Sequence, residues 1–224
     1  MKFTAMTAIV FSLFLLPQTA RADVVIDDYS AGTPLTQLGI GSALNTTIDA
    51  SILGSNRDET VTVTDQGGGE FFGTIGFSGA MDVAQGSLDQ INGSVGYSNF
   101  SDIDLTQGGF NDVFELRFLS SDINADLAGV VSVTATSDGS SATQFATVPS
   151  NAGLPQSVYL NFTDFVGVDF MNIDSISLNF DFANNPGRDV ELGLFSATNS
   201  IPEPIGTLII GVCLAGWLQT RRRR

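Results

Sequence analysis

The chain has 224 residues, of which 24 are acidic and 9 are basic, and its formal net charge is −15 at pH 7. It contains no histidine and a single cysteine, Cys213. The lack of histidine excludes a Ser-His-Asp triad and any histidine-ligated zinc or iron site. The strong negative charge excludes nucleic acid as a partner, because the phosphates would repel the protein.

The first 22 residues have the pattern of a secretory signal peptide. Lys2 precedes an apolar stretch that ends at Pro17, and Ala20 and Ala22 have the small-x-small spacing of a signal-peptidase site. The pattern predicts an exported protein whose mature chain begins near Asp23. An uncleaved N-terminal anchor is the alternative interpretation.

Residues 23–200 are predicted to form one acidic domain. This region holds 23 acidic residues against the three arginines Arg57, Arg117 and Arg188, which gives it a net charge of −20. Its apolar content is too high for intrinsic disorder, so the acids are expected to coat a folded core. Because the only cysteine lies in the tail, the domain cannot form a disulfide and its core must hold by packing.

Apolar and polar side chains alternate along most of the domain. A period of two predicts half-buried strands, and segments rich in Gly, Asn, Asp and Pro separate them at 65–70, 106–110, 137–141 and 184–187. We therefore predict an all-β fold, an antiparallel β-sandwich of jelly-roll type, with the longest loops between residues 67 and 109. The predicted inward positions are Val61 and Val63; Phe114, Leu116 and Phe118; Val131, Val133 and Ala135; Val158, Leu160 and Phe162; Ile176, Leu178, Phe180 and Phe182; and Val190, Leu192 and Leu194.

Several acids are candidate ligands for a structural Ca²⁺ ion, which prefers carboxylate and other oxygen ligands. None of them has the spacing of an EF-hand loop, and a solvated acidic surface is the alternative. The first choice is a site where Asp27 and Asp28 meet a ligand from a late strand. The candidates are Asp27, Asp28, Asp102, Asp104, Asp189 and Glu191.

Carbohydrate binding is a second hypothesis for the domain. Sugars are usually held on a Trp or Tyr ring, but Trp217 lies in the tail, and most phenylalanines are expected in the core. Tyr97, in a segment rich in Gly and Asn, is the most platform-like tyrosine. A glycosidase-type carboxylate pair is the one enzymatic class that the composition leaves open. We predict that the protein is not an enzyme.

The C-terminal residues 201–224 form a separate element. Residues 205–220 carry no charge and are followed by Arg221, Arg222, Arg223 and Arg224. As a helix this segment would be about 24 Å long, slightly less than the ~30 Å hydrocarbon core of a bilayer. The pattern predicts a transmembrane helix whose arginines stay on the cytoplasmic side, with a buried helix as the alternative.

This C-terminus resembles the PEP-CTERM sorting signal of exported bacterial proteins. The resemblance covers residues 202–224 and lies in Pro202, Glu203 and Pro204, the apolar span and the terminal arginines. It implies that an exosortase, a transpeptidase-like cysteine enzyme of the membrane, recognises and removes the tail. The protein would then pass from the inner membrane to the cell surface or extracellular matrix.

Two functions follow as alternatives from the sequence. The first is a non-catalytic surface or matrix protein of an exopolysaccharide-producing bacterium, with exopolysaccharide as a candidate partner. The second is a carbohydrate-binding or glycan-degrading module carried by the same sorting tail. The sequence favours the first because the domain lacks histidine and tryptophan.

Overall fold

The computed structural model describes residues 23–65, 72–86, 89–98, 100, 102–122, 127–182, 184–185 and 187–200. Regular structure in these residues consists of β-strands and short 3₁₀ turns. The strands are β1 (Val24–Asp27), β2 (Leu35–Leu38), β3 (Gly41–Thr47), β4 (Arg57–Asp65), β5 (Phe72–Phe77), β6 (Met81–Gln85), β7 (Gln90–Tyr97), β8 (Val113–Ser121), β9 (Leu127–Ser137), β10 (Ser140–Val148), β11 (Gln156–Asn161), β12 (Ser175–Asp181) and β13 (Val190–Thr198). The 3₁₀ turns are Leu53–Ser55, Asn151–Gly153 and Phe162–Asp164.

Two antiparallel sheets pack face to face, which confirms the predicted β-sandwich. The seven-stranded sheet has the order β11-β8-β13-β6-β5-β2, with β1 also paired to β13. The six-stranded sheet has the order β10-β9-β12-β7-β4-β3. The chain passes repeatedly from one sheet to the other, as in jelly-roll topologies. Strands distant in sequence, such as β4 and β12, therefore become neighbours of β7 in one sheet.

The core between the sheets is built from the alternating apolar positions. Phe114, Leu116 and Phe118 on β8 are fully buried, whereas Arg117 between them is exposed. The predicted inward residues of β4, β9 and β12 are likewise buried. The Phe114 ring packs edge-on against Phe162, whose ring stacks on Phe170 with 3.9 Å between centroids. Period-two alternation identified these strands correctly because each sheet has one covered face.

The last strand departs from simple alternation. Leu194, predicted to face inward, is only half buried, and Phe195 is fully buried instead. The pairing of β13 with β8 shifts register between Leu192 and Leu194, so Gly193 forms an irregularity of the bulge type. Because a bulge adds one residue to a strand, it exchanges the inward and outward positions beyond it. The prediction for Leu194 was wrong for this reason.

Residues 67–109 contain three strands as well as the predicted long loop. The segment includes β5, β6 and β7, and the connection from β7 to β8, which is the longest between consecutive strands in the described structure, lies mostly within it. Packing explains a glycine within one of these strands: a side chain at Gly73 would lie 2.8 Å from Ile91 and 3.1 Å from Val61. Glycine is needed there because the two sheets approach closely, not because the chain turns.

A buried group of charges links the two sheets. Arg57 of β4 donates to Asp27 of β1 at 2.6 Å and to Glu59 at 2.9 Å, and all three side chains are fully buried. The Arg57 guanidinium also donates to the Ala31 carbonyl at 2.6 Å and lies 3.7 Å above the Phe77 ring. Every charge in this ion cluster has a partner, as buried charges require.

The predictions for the two ends of the chain concern residues outside the described ranges. These are the signal peptide with Ala20 and Ala22, the Pro202, Glu203 and Pro204 motif, the span at 205–220 and the four terminal arginines. Within the ranges that the structure describes, no helix has the length and apolar character needed to cross a bilayer.

Candidate functional site

The outer face of the six-stranded sheet is a broad surface of small polar side chains. We call it the polar face. Its side chains come from alternate positions of the six strands, the positions that face away from the core. Thr, Ser and Asn dominate these positions, so the surface is even and can offer hydrogen bonds over its whole width.

Register brings one residue from each strand into a continuous line across the polar face, which we call the middle row. Each member lies directly opposite the next in the pairing of the strands. At about 4.8 Å per strand, the row extends over roughly 24 Å. Its members are Leu44, Thr60, Ser94, Asn179, Ser132 and Phe145.

The four central residues of the middle row have side-chain donors and acceptors that are available to a ligand. Within the part of the chain that the structure describes, the hydroxyls of Thr60, Ser94 and Ser132 make no hydrogen bond with another protein group. The Asn179 amide donates only a long bond, 3.3 Å, to Ser177. All four side chains are half buried, and Thr60 lines both of the open depressions on this face.

The rows on either side are occupied by internal hydrogen bonds. On one side Thr46 donates to Asp58 at 2.7 Å, and the hydroxyls of Thr134 and Thr143 are 2.7 Å apart. The flanking residues are therefore held in place by one another, which leaves the middle row as the part of the polar face open to an external partner.

Neighbouring side chains of the other flanking row are also joined by hydrogen bonds. The hydroxyls of Ser42 and Thr62 are 2.8 Å apart. With the amide orientation assigned from its surroundings, Asn92 donates to Asp181 at 3.0 Å. Two acids of the polar face, Asp58 and Asp181, lie in the flanking rows. The middle row itself contains no carboxylate and no cation.

An exposed apolar side chain stands at each end of the middle row. Leu44 on β3 is 74% exposed and Phe145 on β10 is 63% exposed. Phe145 is an exception to the expected burial of phenylalanine. Its ring lies beside Ser132, so the polar centre of the row borders an aromatic surface at this end.

Tyr97 is not a binding platform. Its side chain is fully buried, and its hydroxyl donates to Asp27 at 3.1 Å inside the ion cluster. Burial, with the nearby charge of Asp27 and the Tyr29 ring, raises the pKa of Tyr97 well above its ordinary value. The sequence favoured Tyr97 as a platform because its segment is rich in Gly and Asn, but Tyr97 ends β7 with its ring pointing inward. Tyr159 is the exposed tyrosine of the described domain.

Asp27 is also engaged, and the structure does not bring it to Asp189 or Glu191. Asp27 accepts hydrogen bonds from Arg57, Tyr97 and the Tyr29 amide, the last at 2.7 Å. Burial raises the pKa of Asp27, and the Arg57 charge opposes the rise. Along β13, Asp27 lies opposite Phe195, several residues from Glu191. The proposed ligand set is therefore wrong in its geometry.

Asp28 and Asp104 serve turns. Asp28 accepts from the hydroxyl and amide of Ser30 at 2.6 and 3.0 Å, and these bonds lower the pKa of Asp28. Burial acts to raise the pKa of Asp104, but bonds from Thr106 and the Gly108 amide outweigh it and lower the pKa. Asp102 precedes this turn with a φ of 57°. Such Asx turns stabilise loops without a metal.

Asp189 and Glu191 lie on the outer side of the seven-stranded sheet near Asp82. Glu191 is directly opposite Asp82 and accepts from Ser120 at 2.7 Å. Burial raises the pKa of Asp82, and the charges of Asp189 and Glu191 raise it further. Among the described residues, no three acidic side chains are arranged to hold a metal ion. Calcium binding remains a prediction without an identified site.

Comparisons with known proteins give structural likenesses only. No family model and no curated protein matches the chain. Solved structures that resemble it include the family 11 carbohydrate-binding module of Clostridium thermocellum in complex with a β-1,3-1,4-mixed-linked tetrasaccharide (TM-score 0.39, 14% identity, covering 81% of this chain and 98% of that one). A mutant of a family 29 carbohydrate-binding module matches with a TM-score of 0.36 and 13% identity over 74% of this chain and 100% of that one.

An exo-β-agarase matches with a TM-score of 0.40 and 11% identity, over 82% of this chain and 26% of the enzyme. No equivalence between individual residues follows from similarities of this size. The structural neighbours are thus weakly similar and include carbohydrate-binding modules and part of an exo-β-agarase.

Proposed function

We propose that this protein is an exported, non-catalytic module that binds a neutral polysaccharide along the middle row of the polar face. The observation that carries the proposal is the contrast between the rows. Neighbouring side chains of the flanking rows bond one another, whereas the hydroxyls of Thr60, Ser94 and Ser132 have no partner among the described residues. A sugar chain supplies hydroxyl donors and acceptors that match such a line.

The shape of the site fits an extended ligand better than a small one. The middle row is a straight line about 24 Å long, from the strand spacing of about 4.8 Å, and it is open to solvent rather than closed into a pocket. The ring of Phe145 at one end offers an apolar surface for a sugar ring. Affinity is expected to be modest, because half-exposed hydrogen bonds contribute little each and the row lacks a tryptophan.

Charge decides the class of polysaccharide. Asp58 and Asp181 flank the row, and none of the domain's three arginines lies on the polar face: Arg57 is buried, and Arg117 and Arg188 lie on or beside strands of the other sheet. The net charge of −20 repels uronate or sulfate groups. The ligand we propose is therefore uncharged. The lack of a carboxylate in the row supports binding without hydrolysis.

This proposal adopts the second of the two functions that the sequence left open. We also propose the sorting route that the sequence predicts: export by the signal peptide, recognition of Pro202, Glu203 and Pro204 by an exosortase, and delivery from the inner membrane to the surface. A polysaccharide-binding domain delivered in this way would attach to an extracellular glycan matrix.

Affinity electrophoresis tests the binding. The full chain is run through gels that contain a soluble mixed-linkage β-glucan, a neutral galactan or the anionic polysaccharide alginate. We expect retardation by a neutral polymer and none by alginate. Thr60→Val and Asn179→Ala should each reduce the retardation severalfold, because each removes hydrogen-bonding groups without filling space.

Thr74→Val is the matched control. Thr74 bonds Thr36 at 3.0 Å on the opposite, seven-stranded sheet, so its loss should leave retardation unchanged. Equal retardation of all three variants, or binding of alginate alone, would contradict the proposed site.

A further inference from the structure

The strands that end the two sheets carry no charged residue. β2 and β3 end the sheets on one side of the sandwich, and β10 and β11 end them on the other. These four strands lie within two stretches of sequence, 29–48 and 139–163, that contain no Asp, Glu, Lys or Arg. The domain around them has a net charge of −20, so the neutrality of both sides stands out against the rest of the surface.

End strands usually carry features that prevent pairing with another chain. Lysine, proline, inward-pointing charges and bulges are the common ones. None of the four end strands contains a charge or a proline. In the described structure β3 pairs only with β4, and β10 only with β9. Each therefore presents one row of backbone donors and acceptors that no neighbouring strand uses.

The two end strands of the six-stranded sheet are compatible with each other in direction. Five successive antiparallel pairings separate β3 from β10, so these two strands run in opposite directions. A second copy placed with its β3 beside β10 of the first would continue the antiparallel alternation without a break.

The side chains are compatible as well. Leu44 and Phe145 point to the same face and end the same row. If Phe145 lies opposite Leu44 of the second copy, the exposed apolar groups at the two ends of the middle row cover each other. The same register puts Thr143 opposite Thr46, and Ala146 opposite Ala43, of the second copy. No charged side chain lies between the paired strands.

We propose that the protein assembles head to tail through antiparallel pairing of β10 in one copy with β3 in the next. Because the two surfaces differ, each copy keeps one free end strand after pairing, and the contact extends into a linear assembly rather than a closed dimer. The twist between neighbouring strands would wind this assembly into a helix. The inference depends on the end strands and not on polysaccharide binding. In the assembly, Leu44 of the next copy takes the place of a sugar ring on Phe145, and the central polar residues of the middle row stay open.

Electrostatics makes the assembly depend on salt. Two copies of the domain, each with a net charge of −20, repel each other at long range. Salt screens this repulsion, with a Debye length of about 10 Å at 0.1 M. The neutral end strands are where two such molecules can touch without bringing carboxylates together. Assembly is therefore expected to strengthen as NaCl increases, the opposite of an association held by ion pairs.

Sedimentation velocity of the full chain in a non-ionic detergent tests the proposal. The wild type should form larger species as protein and NaCl concentrations rise. Leu44→Glu and Phe145→Glu should each weaken self-association about tenfold or more, because each puts an unpaired carboxylate into the contact. Val166→Glu is the matched control. Val166 is 84% exposed on a loop outside the strands, so this variant should assemble as the wild type does.

Mixing the variants distinguishes head-to-tail pairing from pairing of like strands. Leu44→Glu retains an intact β10, and Phe145→Glu retains an intact β3, so an equimolar mixture should form dimers and nothing larger. Pairing of β3 with β3 would instead be abolished by Leu44→Glu alone and unaffected by Phe145→Glu. That result, or a wild type that remains a single species at all salt concentrations, overturns the proposal.

A disulfide test reads the register directly. In a Cys213→Ala background, Leu44→Cys and Phe145→Cys chains are mixed and oxidised. Opposite residues of an antiparallel pair have Cα atoms about 4.5–5.5 Å apart, which suits a disulfide. A crosslinked dimer should form in the mixture and not in either variant alone. Crosslinking in each variant alone to the same extent would contradict the register.

Discussion

Replacing Arg57 tests whether the ion cluster holds the sandwich together. Arg57→Met keeps the length and apolar stem of the side chain but removes its charge. The variant loses the bonds to Asp27 (2.6 Å), Glu59 (2.9 Å) and the Ala31 carbonyl (2.6 Å), and the contact with the Phe77 ring. Asp27 and Glu59 remain fully buried without a cation. Breaking such a pair costs about 3–5 kcal/mol in free energy of unfolding.

The expected loss is a large share of the total, since domains are stable by about 5–15 kcal/mol. Urea denaturation followed by circular dichroism measures it. For a chain of this size, about 2–4 °C per kcal/mol gives a decrease in melting temperature of roughly 6–20 °C. Arg117→Met is the control, because Arg117 is exposed on β8 and its loss should change stability by less than about 0.5 kcal/mol.

A triple variant separates the missing cation from the missing contacts. Asp27→Asn, Arg57→Met and Glu59→Gln together leave no charge in the cluster, so this protein should be clearly more stable than Arg57→Met alone. The reasoning is refuted if Arg57→Met loses less than about 1 kcal/mol, or if the triple variant is no more stable than the single one.

Three further predictions concern charge, packing and processing. Burial and the charges of Asp189 and Glu191 raise the pKa of Asp82 in the folded state. The folded state therefore binds the proton of Asp82 more tightly than the unfolded state does. As pH rises through the folded-state pKa, Asp82 ionises and the fold loses stability. Asp82→Asn should therefore stabilise the protein at pH 7 by about 0.2–1 kcal/mol. In denaturation curves this gain should disappear at a pH low enough to protonate the carboxyl in the unfolded chain as well; a gain that grows at low pH would contradict the sign. Phe114→Ala should cost about 3–5 kcal/mol by leaving a cavity among buried rings, whereas Phe145→Ala, exposed on β10, should cost under about 1 kcal/mol in the same assay. Intact-mass spectrometry of the protein from its native host should show a chain that begins near Asp23 and lacks residues 221–224; retention of these arginines would leave the tail as a permanent anchor.

Much of the fold could be predicted from the sequence, because alternation of side chains is a local property. Phe114, Leu116 and Phe118 on β8 face the core as predicted, and so do Leu178 and Phe180 on β12. The hairpin between β9 and β10 could also be predicted, from its turn residues. Asp138 and Gly139, both with positive φ, form the two-residue turn. The charge-free stretches of the end strands were also visible in the sequence, as a lack of acids in an acidic chain.

The candidate site could not be predicted, because it depends on which strands become neighbours. Thr60, Ser94 and Asn179 occupy unremarkable outward positions on three strands that are far apart in sequence. Only the order β3, β4, β7, β12, β9, β10 and the register of each pairing place them in one row. Alternation tells which residues face outward, but not which strand lies beside which.

Tertiary structure also decided the fate of single residues. Tyr97 is buried between the sheets, where its ring lies beside Phe195 and its hydroxyl donates to Asp27, although its local sequence is rich in Gly and Asn. Phe195 replaces Leu194 in the core because β13 shifts its register against β8. In each case contacts between distant strands, which carry more free energy than local preference, determine where the side chain points.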